Sequence, residues 1–446
     1  MLEALTSSEY FVLLMLPGVL IAIFSGFPVA FSLMAMSLLF GYMTFGDAVG
    51  AMLIGRAWEV ANNYVLAAVP LFVFMGSMME ASGIANRLYL SMIQWTKGLR
   101  GGLALGTVIM CMVFAAATGI IGASEVVIGL LAIPPMLKYK YNKGLICGTI
   151  CAGGSLGTII PPSVVIVVYG PVAGLSVGKL LMAAIFPGIM LSGLYILYIL
   201  IRCYLRPQDG PGLPKEEMAL PLKEKLIMTA VSMLPAILLI FSVMGTILFG
   251  LASPTEAAAM GAMGSVLLAV GYRKFNWDSF KGACLTTIRI SCMCLLLLVG
   301  GSMYTGVFLG MGGAMVTEGI INSMNLSPSI TLVLFLGVGF TLGFMLDWVS
   351  VLLICVPIFT PLVIMMGFDP IWFSILFLMV IQTSYLTPPM APAIFYLKGI
   401  VPPEITLKDM FCGVIPYIIL QIIGIALVVI FPQIATWLPS VMLNFN

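Results

Sequence analysis

The sequence has no histidine. That absence removes serine-histidine hydrolases, HExxH metallopeptidases and histidine-ligated haem bundles together, because each needs an imidazole as base or ligand. Charge is nearly as scarce: 8% of residues are charged and 61% hydrophobic, and the mean hydropathy is +1.17. Ordinary soluble chains carry about 25% charged residues, so this one cannot cover itself with a solvated surface. The short alternating segments of a membrane barrel are also absent. A net charge of +2 gives no indication of nucleic-acid binding. A membrane aspartyl protease would need two aspartates in facing spans, yet Asp347 is the only aspartate deep in an apolar run. The nine cysteines are odd in number and lie mostly inside apolar stretches, which reads as small hydrophobes and not as a disulfide frame. Cys147 and Cys151 stand one helical turn apart but lack histidine or acidic neighbours to complete a metal site. The amino-terminal MLEALTSSEY holds two glutamates and no basic residue, and no cleavage site follows, so the first helix is expected to be retained.

What remains is an all-α polytopic membrane protein, since in lipid the backbone must satisfy its own hydrogen bonds. Apolar spans fall at about 10–24, 27–45 and 64–80, the first two separated by SGFP. The amphipathic stretch EASGIANRLYLSMIQWTKGLR follows and reads as an arm helix on the membrane surface. Residues 101–137 are continuously apolar, too long for one span of about 20 residues, and their centre is ATGIIGAS. A re-entrant hairpin with its tip at 118–124 fits, with Lys97 and Arg100 at one mouth and Lys138, Lys140 and Lys143 at the other. Spans at 145–170 and 180–202 complete a first half, 1–202. The polar connector 203–225, with Arg206, Lys215, Lys223 and Lys225, is cytoplasmic by the positive-inside rule.

The second half, 226–446, repeats the plan: spans at about 226–250, 253–272 and 283–309, a surface helix through GAMVTEGIINSMN, a hairpin at 328–365 broken at LGFMLDWVS, and spans at 370–398 and 410–435. With the connector inside, counting crossings puts Arg273, Lys274, Lys281, Lys398 and Lys408 inside, together with the first arm and the first hairpin mouth. The second arm and hairpin mouth then fall outside, as do both termini. The two halves are therefore expected to be inverted repeats, with Arg56 and Lys179 as solitary exceptions.

Two stretches share a pattern: GGSLGTIIPPSVVIVVYG at 153–170 and QTSYLTPPMAPAIFYLKG at 382–399. Pro161 and Tyr169 have the same separation as Pro388 and Tyr396, and Glu125 and Asp347 precede Pro134 and Pro357 at nearly equal distances. Proline pairs remove backbone donors and disfavour helix in the preceding residue, so GGSLGT, and likewise Thr383, Ser384 and Thr387, are expected to unwind and free their carbonyls. Broken helices at corresponding places in inverted halves point to a secondary transporter's binding site. Hard oxygen ligands there suit a small cation such as sodium, and helix amino-termini favour a carboxylate.

The chain resembles the large membrane subunit of tripartite ATP-independent periplasmic (TRAP) transporters, within the ion transporter superfamily, along its whole length. The stretches that carry the resemblance are AVPLFVFMGSMMEASGIANRL, ATGIIGASEVVIGLLAIPPMLKYKYNKG, GGSLGTIIPPSVVIVVYG, ASPTEAAAMGAMG, LGFMLDWVSVLLICVPIF and QTSYLTPPMAPAIFYLKG. The resemblance implies an elevator-type transporter of the bacterial inner membrane, partnered by a small four-helix subunit and a periplasmic binding protein that delivers an organic acid. It implies no resident cofactor, only sodium as coupling ion. One sodium site would involve Thr118, Gly119, Gly122 and Ser124 with Gly153, Gly154, Ser155, Gly157 and Thr158; the other, Gly343, Asp347 and Ser350 with Thr383, Ser384, Thr387 and Pro388. Substrate would lie beside Pro161, Pro162, Ser163 and Pro389. The glutamate in ATGIIGASE departs from the serine-rich first tip of sialic-acid members.

Plainer readings stand beside these. Small residues such as Gly153 serve close helix packing, prolines kink membrane helices, and Glu125 could cap the returning helix or, like Asp347, carry a proton. Glu256 in SPTEAAAMG reads as a helix cap on Ser253. A stand-alone member of the same superfamily working without a binding protein, such as a dicarboxylate symporter or a proton-driven antiporter, and a membrane enzyme or channel compete with the tripartite reading.

Overall fold

A peptide group in hydrocarbon must be satisfied within its own helix, and the chain answers with twenty α-helices and no strand among its described residues. The computed structural model describes residues 7–118, 122–213, 221–323, 326–388 and 391–443. Its first half runs α1 (Ser7–Phe24), α2 (Val29–Phe45), α3 (Ala48–Ala61), α4 (Ala68–Ala81), α5 (Ile84–Thr96), α6 (Gly102–Thr118), α7 (Ala123–Lys138), α8 (Lys143–Ser155), α9 (Val164–Ala173) and α10 (Val177–Leu205). The second half runs α11 (Leu222–Leu248), α12 (Pro254–Gly271), α13 (Trp277–Gly310), α14 (Gly313–Ser323), α15 (Pro328–Gly343), α16 (Trp348–Met365), α17 (Pro370–Leu386), α18 (Pro392–Lys398), α19 (Leu407–Ile430) and α20 (Gln433–Leu443). Among the described residues six helical segments are long and apolar enough to cross a membrane, and several shorter helices are apolar. This is a multi-pass membrane protein.

Packing is reciprocal between the halves: α4 lies against α12 and α2 against α13. Small residues permit it. A β-carbon on Gly261 would stand 2.6 Å from the Met75 sulfur, and one on Gly300 2.8 Å from the Ala30 carbonyl oxygen. Helices α8 and α19 touch backbone to backbone, with Gly148 and Gly144 against Gly413.

Arm α5 buries Ile84, Leu88 and Met92 along one face. It is pinned to α11 where the Ser91 hydroxyl (3.0 Å) and the Trp95 indole N–H (2.7 Å) both donate to Thr229 Oγ1. The described part of the connector is stitched to the first hairpin's mouth: Gly101 N donates to Gly210 O at 2.7 Å, Leu213 N to Lys97 O at 2.9 Å, and Arg202 pairs with Asp209 at 2.9 Å.

Two elements differ from the sequence expectation. Helix α3 was not anticipated, because Arg56 and Glu59, paired at 3.0 Å, interrupt an otherwise apolar pattern; only Val49 and Leu53 on it are buried. The span expected at 410–435 ends at Ile430, since Pro432 cannot continue the helix, and α20 starts afresh. The Ser253–Glu256 capping box at the start of α12 is present as read.

Candidate functional site

Two helical pairs, α6–α7 and α15–α16, bring their tips to two broken segments. Thr118 ends α6, and its hydroxyl donates to Phe114 O at 3.0 Å and lies 3.1 Å from Ser124 Oγ, which joins the end of α6 to the start of α7. Gly119 lies outside the described residues. Gly122, with φ of 81°, turns the chain into α7 against the Tyr396 ring, where an added β-carbon would come within 3.1 Å of Cζ.

Glu125 sits in the first turn of α7 and is fully buried. Neither of its carboxylate oxygens has a hydrogen-bond partner among the described residues. It does not cap α7. Gly154 of α8 lies directly against it, so close that a β-carbon there would overlap Glu125 Cγ. Gly153 is equally committed to packing, with Cys111 Sγ 2.5 Å from where its β-carbon would be.

The second tip is built otherwise. Helix α15 ends at Gly343, whose missing β-carbon makes room for the Ser384 side chain. Asp347 caps α16: its carboxylate accepts from the backbone N–H of Val349 at 3.1 Å and of Ser350 at 3.4 Å, and from the Ser350 hydroxyl.

The breaks themselves are narrower than the sequence predicts. Gly153, Gly154 and Ser155 remain in α8; only Leu156–Thr158 tightens into a 3-10 turn, and the chain is non-helical from 159 to 163. Thr383 and Ser384 remain helical as well, and α17 stops at Leu386 with Thr387 extended. Proline acts sterically on the residue immediately before it, and that residue is Thr387. The hydroxyls expected to be free are engaged locally: Thr158 donates to Ser155 O (2.8 Å), Ser163 to Thr158 O (2.9 Å), Thr383 to Met379 O (2.8 Å), Ser384 to Ile381 O (2.8 Å) and Thr387 to Thr383 O (2.7 Å). Gly157, Pro161 and Pro162 are buried beside them, Pro388 is half-buried, and Pro389 lies outside the described residues.

Gln382, which the sequence reading passed over, ties the two breaks together: its Nε2 donates to Ser155 Oγ at 3.2 Å. It was detectable as the one amide in the apolar run of α17. A cavity of about 650 Å³ opens beside the second tip, walled by Gly343, Asp347, Ser384, Tyr385, Tyr396 and Val165. The first residues of α9 and α16 form part of its wall, and helix amino-termini carry partial positive charge. Each hairpin also reaches across the halves, α16 against α9 and α7 against α18.

Residues 16–434 match the family described as the DctM component of the tripartite ATP-independent periplasmic transporter. The chain belongs to that family. Among relatives of this DctM-family chain, the C4-dicarboxylate TRAP transporter large permease protein DctM of Pseudomonas aeruginosa is 29% identical over 88% of this chain and 90% of its own. The ectoine large permease TeaC of Halomonas elongata is 28% identical, covering 93% and 95%. The sialic acid large permease SiaM of Vibrio cholerae is 26% identical, covering 95% and 97%. The solved YdaH transporter of Alcanivorax borkumensis superposes with a TM-score of 0.63 over 90% of this chain and 89% of that one at 16% identity, a likeness of fold. The DctM-family chain is thus a transporter component and not an enzyme.

Proposed function

We propose that this DctM-family chain is the large permease of a system that takes up a small organic acid into a bacterial cell across the inner membrane, driven by sodium. The cavity at the second tip carries the reading. It is large enough for a small metabolite, and the positive ends of α9 and α16 at its wall favour a carboxylate without any arginine in the site. C4-dicarboxylates, ectoine and sialic acid, the compounds named for three relatives, each carry a carboxyl group.

Sodium would be held by oxygens at the two tips: Thr118, Gly122 and Ser124 facing residues 154–158, and Gly343, Asp347 and Ser350 facing Thr383, Ser384 and Thr387. The hydroxyls of Thr118, Ser155, Thr158, Thr383, Ser384 and Thr387 donate to backbone carbonyls, and a hydroxyl oxygen that donates keeps lone pairs with which it could ligate a cation. Helices α6–α9 and α15–α18 would travel as one body against a scaffold built from the reciprocal pairs α4–α12 and α2–α13, with the halves inverted and both termini periplasmic. A small four-helix subunit would complete the scaffold, and a periplasmic binding protein would deliver the acid.

Uptake into proteoliposomes tests this, with the chain and its small subunit reconstituted, the binding protein and radiolabelled dicarboxylates outside, and either a sodium or a proton gradient imposed. Uptake that requires inward sodium and the binding protein is expected. Uptake on a proton gradient alone would overturn the sodium assignment, and uptake without the binding protein would favour a stand-alone symporter.

A further inference from the structure

Arm α5 and helices α11 and α12 enclose an open groove of about 830 Å³ that shares no lining residue with the cavity at the second tip. Its walls are apolar and face outward from the fold: Leu234, Leu238 and Leu267 line it and are each more than half exposed. Two arginines stand at its rim, Arg87 from the arm and Arg273 from the end of α12. Among the described residues neither forms an ion pair. Arg87 instead lies over the Tyr272 ring with its guanidinium carbon 4.5 Å from the centroid, and Tyr272 is fixed by donating its hydroxyl to Val231 O at 2.9 Å. The arm cannot drift from the groove, because Trp95 and Ser91 hold it to Thr229.

The level of the arginines in the membrane can be read from the rings around them. Trp95 and Trp277 are half-exposed to exposed, and Phe275 and Trp277 both pack on Phe280. Exposed tryptophans of this kind gather at the boundary between hydrocarbon and headgroups. The charge count in the sequence puts this end of the molecule on the cytoplasmic side, the leaflet face where basic pockets between helices meet anionic headgroups. A groove that is apolar along its length, doubly cationic at its mouth and cut at headgroup level has the polarity of one molecule class.

We propose that this groove is a binding site for an anionic phospholipid, with the phosphate between Arg87 and Arg273 and acyl chain along Leu234, Leu238 and Leu267. The paired guanidiniums favour a phosphate, because two planar donor forks can share its oxygens. A zwitterionic lipid would fill the same apolar wall but bring an ammonium group to an already cationic mouth. The site is independent of the transport reading above.

The purified chain in mild detergent would be offered phosphatidylglycerol or phosphatidylethanolamine and read by native mass spectrometry for retained lipid. Each arginine is expected to weigh about fivefold in lipid affinity, so Arg273→Gln should lose about fivefold and Arg87→Gln/Arg273→Gln about twenty-five-fold. Arg273 is exposed, so its single variant reports on binding without disturbing packing; an unchanged elution volume and melting curve would establish this. Inorganic phosphate should not displace the lipid, because it lacks the chain. Equal retention of the two lipids, or of phosphatidylglycerol by parent and double variant, would overturn the proposal, as would displacement by phosphate alone. Crosslinking of a Ser242→Cys variant to the co-expressed small subunit, with no lipid retained, would reassign the groove to a protein interface.

Discussion

The closest approach at the first tip can be tested by adding one carbon. In Gly154→Ala the new methyl overlaps Glu125 Cγ. That atom is one bond removed from Cβ, and both residues are buried, so the side chain has nowhere to swing. Overpacking of this kind costs about 1–3 kcal/mol. Glu125→Ala removes the obstructing Cγ and also two buried oxygens that have no partner among the described residues, whose burial costs about 1–3 kcal/mol. The loss of apolar contact in that variant is offset accordingly, and its stability should lie close to the parent's. The double variant should then match Glu125→Ala within about 0.5 kcal/mol, a coupling of about 1–3 kcal/mol between the sites. Glu125→Gln keeps Cγ, so Gly154→Ala should remain destabilising on that background. The assay is equilibrium unfolding in mixed micelles followed by tryptophan fluorescence for the parent and the five variants. If the double variant is as unstable as the sum of its parts, Gly154 and Glu125 are not in contact and this account of the first tip fails.

Asp347→Asn should fold normally, because asparagine caps a helix as well as aspartate, whereas Asp347→Ala should lose about 1 kcal/mol; if the carboxylate also holds sodium, half-saturation by sodium in the uptake assay should rise roughly tenfold in the Asn variant, equivalent to about 1.4 kcal/mol. Gly413→Ala would drive a methyl into the Gly144 carbonyl, and backbone cannot yield as a side chain does, so a loss of about 2–3 kcal/mol is expected by the same micelle unfolding. Ser253→Ala should cost about 1 kcal/mol through loss of the capping box and leave uptake untouched, since α12 lies outside the cavity.

The order of elements was legible because lipid demands long apolar helices and the chain punctuates them with charge. Where charge enters a short helix, as Arg56 and Glu59 do in α3, the same logic hides it. Proline located both breaks, but only to within a few residues. Thr383 and Ser384 were expected to unwind, yet each hydroxyl returns to a carbonyl of its own helix, a bond that composition cannot reveal. The Gln382–Ser155 contact joins residues 227 positions apart, so no local pattern could announce it. Gly154 and Gly343 were singled out as ion-site residues. Their measurable role is to let Glu125 and Ser384 approach, which depends on the neighbouring helix and not on their own sequence.

Glu125 and Asp347 hold similar places in the sequence of the two halves and are served in opposite ways. Asp347 accepts two backbone N–H groups and a hydroxyl and borders the 650 Å³ cavity. Its oxygens are already hydrogen-bonded, so under the proposed mechanism a cation arriving there draws on the remaining lone pairs. Glu125 is enclosed beneath Gly154 with no hydrogen-bond partner for either oxygen among the described residues. A buried carboxylate is costly unless it is paired, hydrogen-bonded or takes up a proton. Under the proposed mechanism, a cation at the first tip would meet a carboxyl group with no hydrogen-bond partner among the described residues, whereas one at the second tip would meet a carboxyl group already held by three donors. The difference lies in the cap: Asp347 is the N-cap of α16 and accepts from its first N–H groups, whereas Gly122 is the N-cap of α7 and Glu125, at the third helical position, makes no capping bond among the described residues.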